Sequence, residues 1–203
     1  MLRGARDLPL AVARPSIVVG HSISGWTSAF NVLYWPMRAF ERGLLREVPA
    51  REDSIVDFVP VDYVTDGVLA LLDDEDALGT FALVAGDRAL TAGELVELHS
   101  ALTRREPVRF VTPVASDAHD GVPAGGETFV PYFDVSCRFT DTHAGAVLAR
   151  AGLEKPDPRD CLHGLITYAR RAAWGKRSIS RQASFLEASP LATGIGGLRL
   201  AGS

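Results

Sequence analysis

An apolar run rich in Val, Ile and Ala occupies residues 10–19, with polar interruptions at its middle and Gly20 closing it. That pattern predicts a buried β-strand running into a loop, and a buried strand needs neighbours on its edges and faces. The following segments supply candidates. Phe30, Leu33, Tyr34, Met37, Phe40, Leu44 and Leu45 recur at steps of three and four, predicting an amphipathic helix over 28–45. Residues 55–61 (IVDFVPV) read as a strand punctuated by Pro60, and Asp62 stands where a helix N-cap is expected, ahead of an apolar stripe from Tyr63 to Leu72. Alternation of this kind implies an α/β fold.

Further strands are expected over 80–85 and 108–111, with Gly86-Asp87 as a turn between the first of them and a helix through Leu102. Thr91 and Glu94 have the spacing of a capping box for that helix. Pro, Gly and Asp residues predict an exposed loop over 112–126, an extended stretch over 129–133 and helices over 141–153 and 159–174. The final residues lose periodicity and are rich in Gly, Ser and Ala, as in a poorly ordered tail.

Bulk properties narrow the function. The chain has 203 residues, 47% hydrophobic and 23% charged, enough for one sizeable core. A net charge of −4 with interspersed signs argues against nucleic acid as a partner. Cys137 and Cys161 form no CxxC pair, and the five histidines are well separated, so neither a disulfide framework nor a metal site is expected. A reduced, cytoplasmic setting fits the cysteine usage. Arg14 and Pro15 interrupt the N-terminal apolar run before a signal-peptide core is complete, and no stretch approaches the ~18 apolar residues of a membrane span.

The run Arg14-Pro15-Ser16-Ile17-Val18-Val19-Gly20, followed by Gly25-Trp26 and then by Val59-Pro60-Val61-Asp62-Tyr63-Val64, resembles the extended short-chain dehydrogenase/reductases of the fatty acyl-CoA reductase, male-sterility and thioester reductase branch, within the NAD-dependent epimerase/dehydratase superfamily. The resemblance covers roughly the first 110 residues well and the remainder weakly. It implies the C-terminal part of an NAD(P)-binding Rossmann-type reductase: last sheet strand and substrate lobe over 1–110, a mostly helical extension over 111–178 and a flexible tail over 179–203. It also implies that Pro15, Ser16, Ile17 and Val18 face the nicotinamide of NAD(P)H, and that His21, Ser22, Trp26 and Tyr34 contact an acyl-thioester or other small substrate. Each has a plainer reading as well. Pro15 ends strand pairing, the aromatics Trp26, Phe30, Tyr34 and Trp35 pack a core, and His21 is a solvated loop residue.

Hydride transfer in that family requires a GxxGxxG turn, where a helix N-terminus receives the pyrophosphate, and a Tyr with Lys four residues on. Neither pattern occurs: the Gly-rich 194–197 run follows no predicted strand, and Tyr34, Tyr63, Tyr132 and Tyr168 lack the lysine. No catalytic residue is therefore assigned, and the nucleotide-binding half is expected upstream of Met1. A chain of these parts should be inactive alone and prone to self-association or to pairing with that missing half. Two other readings compete. One is a non-catalytic module that binds an acyl-thioester or a protein. The other is a serine hydrolase, since GHSIS at 20–24 is one residue away from a nucleophile elbow; Ser22 would then need His119, His143 or His163 as its base.

Overall fold

The computed structural model describes residues 9–30, 32–111 and 135–188. The expected loop over 112–126, the extended stretch over 129–133, His119 and the 194–197 run lie outside the described residues.

The strand predicted over 10–19 forms in two parts, β1 (Ala11–Pro15) and β2 (Ile17–Val19), which use different neighbours. β1 runs parallel to β6 (Gly79–Leu83), and β2 runs parallel to β5 (Phe58–Pro60). The change of partner falls at Ser16, where Ser16 N–H is donated to Leu83 O at 3.1 Å and Ile17 N–H to Asp57 O at 3.2 Å. Pro15, which has no N–H to donate, ends the first ladder. Among the described residues β1 pairs with β6 alone, so its other edge is free.

The second predicted strand is also divided, into β4 (Ile55–Val56) and β5, with Asp57 between them. Asp57 is 5% exposed, and its two carboxylate oxygens accept from Ala85 N–H and Gly86 N–H, each at 2.9 Å. A buried carboxylate so satisfied ties the end of β6 and the 3-10 turn Gly86–Arg88 to the strand beside it. Two smaller ladders complete the set: β3 (Glu47–Pro49) parallel to β8 (Arg109–Val111), and β4 antiparallel to β7 (Leu90–Thr91).

Helices cover both faces. α2 (Val61–Asp73) and α4 (Thr142–Arg150) enclose one cluster with Val59, Phe81 and Leu83, while α1 (Tyr34–Glu41) and α5 (Pro158–Arg171) enclose another around Val19, Phe58 and Leu162. Phe58 and Val59 are adjacent and wholly buried in opposite clusters, as the two-residue period of a strand buried on both faces requires. α3 (Ala92–Thr103) begins at the capping box foreseen from sequence, with Thr91 Oγ accepting from Glu94 N–H and Glu94 Oε2 accepting from Thr91 N–H.

Three expectations are corrected. α1 begins at Tyr34 rather than near residue 28, because Pro36 is tolerated in a first turn but would break a helix entered eight residues earlier. Asp62 is not the cap of α2: Pro60 occupies that position in an extended conformation, and Asp62 lies in the first turn with its side chain engaged elsewhere. Within the segment read as a tail, α6 (Arg181–Ala188) is helical. Among the described residues no helix is long and apolar enough to cross a membrane, and no group of three metal-ligating side chains occurs.

Candidate functional site

The loop after β2 is held from three directions. Its base is fixed by Tyr34, 1% exposed, whose hydroxyl accepts from Gly20 N–H at 2.9 Å. Burial drives the Tyr34 phenol strongly upward, so it stays protonated and retains a proton to donate as well. The loop's tip is fixed by Asp62, which accepts from Ser22 N–H at 2.9 Å and from Ser22 Oγ at 2.5 Å. Its far side rests on α5. Gly25 has φ +67, and a Cβ there would lie 2.1 Å from Gly164 O, so only glycine permits this approach of loop backbone to helix backbone.

His21 is 9% exposed and closes the loop on itself, its Nδ1 accepting from Ile23 N–H at 3.2 Å while Nε2 lies 3.8 Å from Asp62. That acceptor role leaves the proton on the nitrogen facing Asp62. Phe185 of α6 meets the His21 ring edge-on at 4.5 Å. Trp26 donates through Nε1 to Ile179 O at 3.2 Å, and Phe30 packs edge-on against Tyr34 and parallel to Tyr168, 5.1 Å and 6.1 Å between centroids. The aromatic residues singled out from sequence thus join α1, α5 and the segment before α6 around the loop.

Along β1 and β2 the amides of Ser16 and Ile17 are already donated to neighbouring strands. Ser16 Oγ, by contrast, is buried without a hydrogen-bond partner among the described residues, at the point where the strand changes neighbours.

Ser22, Ile23, Pro60, Asp157, Asp160, His163 and Gly164 line an open cleft of about 480 Å³ between the loop and the start of α5. Asp157 caps α5 by accepting from Arg159 N–H, and Pro158 follows it at the first helical position. Cys161 borders the same cleft, but burial pushes its thiol up to about 12, which removes it as a nucleophile. Ser22 Oγ donates to a carboxylate, not to an imidazole. Two contributors were missed at the level of sequence. Asp57 could have been noticed as the single charge inside an apolar strand; Gly164 gave no signal, being one glycine inside a helical pattern.

Residues 1–68 match the NAD-binding family model described as male sterility protein. The matched segment contains the strand, the loop and Asp62. A Drosophila melanogaster protein named as a fatty acyl-CoA reductase is 34% identical over 68 residues, 32% of this chain and 12% of the fly protein. Solved structures agree over more of the chain. The terminal R domain from the myxalamid PKS-NRPS biosynthetic pathway superposes with a TM-score of 0.63 at 18% identity, covering 86% of this chain and 46% of that domain. MoeE5 in complex with UDP-glucose and NAD gives 0.58 at 19% identity, covering 85% and 50%, and UDP-glucose 4-epimerase of Thermotoga maritima gives 0.54 at 21%, covering 83% and 49%. The fold is therefore the mixed α/β fold of Rossmann-type reductases and epimerases, and the chain spans about half the length of each of these structures.

Proposed function

We propose that this chain forms the substrate-side portion of an NAD(P)-dependent oxidoreductase resembling the fatty acyl-CoA and thioester reductases. The observation that carries this reading is the meeting in space of the two runs that define the resemblance. β2 from the first run lies in parallel register with β5 from the second, Ile17 opposite Phe58 and Val19 opposite Pro60, and the segments that follow are joined through Ser22 and Asp62. Sequence motifs separated by forty positions thus build one ledge, consisting of a strand end, a glycine-closed loop and a helix N-terminus.

On this reading Pro15, Ser16, Ile17 and Val18 border the nicotinamide. When bound, NAD(P)H supplies the hydride. His21 and Ser22 shape the loop that receives an acyl-thioester, while Trp26 and Tyr34 hold that loop in place from below and beside it. Because the chain contains neither the Gly-rich turn nor the Tyr-Lys pair, it binds substrate without turning it over unless a nucleotide-binding half completes it. The free edge of β1 is the place where such a half, or a second copy, adds strands.

The test uses the purified chain with an acyl-CoA. Saturable acyl-CoA binding, weakened about tenfold or more by Asp62→Ala, with no consumption of NADPH or NADH, supports the proposal. Nicotinamide oxidation by the chain alone overturns its inactivity, and acyl-CoA binding that ignores the loop variants overturns the assignment of the ledge. A non-catalytic module would bind alike but remain inert when an added reductase nucleotide-binding half is supplied.

A further inference from the structure

A second cavity, of about 100 Å³, lies between α1, α3 and the β3–β8 ladder. Its wall is almost wholly apolar: Ile17, Leu33, Met37, Leu95 and Phe110 are among the residues lining it, and His99 is the single ionisable one. His99 is 3% exposed, and among the described residues neither of its ring nitrogens has a hydrogen-bond partner. Phe40 packs edge-on against the imidazole with centroids 4.8 Å apart.

An imidazole is a poor choice for such a place if packing is its whole purpose. Leucine at the same position of α3 would fill apolar space without leaving a buried donor and acceptor unpaired. Water offers little relief. The space is ample for a molecule that needs only about 10–15 Å³, but a buried water is held by two to four polar partners, and this wall is nearly all apolar. An occupant that satisfies both the wall and the ring carries an apolar body and a single oxygen. A hydroxyl suits either tautomer, since it can donate to the bare nitrogen or accept from the N–H. Charge is disfavoured, because burial holds the ring neutral and the apolar wall would have to desolvate a carboxylate.

We propose that this cavity is a binding site for a small uncharged molecule with an apolar body and one hydroxyl, which bonds the ring of His99. A cavity of about 150 Å³ accommodates benzene, so the occupant here has about that many heavy atoms or fewer. The site requires neither nucleotide nor hydride transfer. Its failure would leave the reductase reading intact, and loss of that reading would leave this site intact.

The full chain, labelled with 15N at histidine, is titrated with cyclopentanol, cyclopentane and cyclopentanecarboxylate while the His99 ring nitrogens and the thermal midpoint are followed. Cyclopentanol should saturate, shift the ring resonances and bind about tenfold more tightly than cyclopentane, with the carboxylate weaker still. In His99→Phe the alcohol should lose its advantage and bind no more tightly than the alkane, and Val96→Phe, which fills the space, should abolish both. Equal affinity of the two in the wild-type chain, an alcohol preference that survives His99→Phe, or no saturable binding would overturn the proposal. The wild-type comparison decides even where a variant does not fold.

Discussion

Asp62 grips Ser22 twice, accepting from its N–H at 2.9 Å and its Oγ at 2.5 Å, and so binds the loop after β2 to the first turn of α2. Asp62 lies in the first turn of that helix. Asp62→Ala should cost about 1–3 kcal/mol, since hydrogen bonds to a partly buried carboxylate are worth that much. Asp62→Asn keeps an acceptor oxygen and should lose less. Urea denaturation gives the order, and amide exchange at Ser22 should accelerate more in the alanine variant. Equal stability of wild type and Asp62→Ala would show that the loop does not depend on this contact.

Gly25 and Gly164 make a second, purely steric anchor. Gly25→Ala places a Cβ 2.1 Å from Gly164 O and forces alanine into a left-handed conformation that by itself costs roughly 1–2 kcal/mol. Gly164→Ala is less severe: its Cβ lies 3.2 Å from Ile23 O, and alanine inside α5 regains up to about 1 kcal/mol of helix propensity. Thermal denaturation should therefore separate the pair clearly, with Gly25→Ala lowering the midpoint far more or failing to fold. Similar midpoints for the two would mean that the loop moves off the helix without penalty.

How far these features could be read beforehand depended on whether they are local. The Thr91-Glu94 box, the longer strands and helices and the two diagnostic runs are fixed by neighbours within a few residues and were legible, whereas the short β3 and β7 and helix α6 were not. The partner change at Ser16 and the bridging role of Asp57 depend on residues 28 or more positions away, Ala85 and Gly86 in the latter case. Asp62 was read as a cap because its local setting allows it, yet Ser22, forty positions upstream, takes its oxygens. His99 falls on an ordinary helical pattern, and only the packing of α1 against α3 reveals that its ring is enclosed.

Helix α3 ends in an unfavourable conformation that can be relieved. Arg104 terminates it with φ 55 and ψ 44, donating its N–H to Ser100 O, and the side chain is exposed. Glycine is preferred at such a left-handed terminus. Arg104→Gly should stabilise the chain by about 1 kcal/mol, the relief of left-handed strain less the greater freedom of glycine when unfolded. A rise of a few degrees in the thermal midpoint is expected, and a fall would mean that the arginine side chain contributes more than its backbone costs.

Acid should act on the fold chiefly through His99. Burial, reinforced by the positive charge of Arg170, pulls its imidazole from 6.5 down to about 4 in the folded chain. The unfolded chain therefore binds the proton more readily, and the contribution of the neutral ring is complete above about pH 6.5 and is lost as pH falls toward 4. A depression of this size corresponds to about 3 kcal/mol. Arg51 beside Asp53, Arg150 beside Asp74 and Lys155 beside Asp87 also hold those carboxyls below their ordinary value, but their stabilisation is lost at lower pH, as carboxylates protonate. They are common to wild type and to His99→Leu, so the difference between the two proteins isolates the imidazole. Urea midpoints measured from pH 7.5 to 4.5 should fall more steeply for wild type than for the variant below about pH 6.5, and run parallel above it. Parallel curves would show that His99 is reached by water and titrates normally, in which case the cavity beside it is wet.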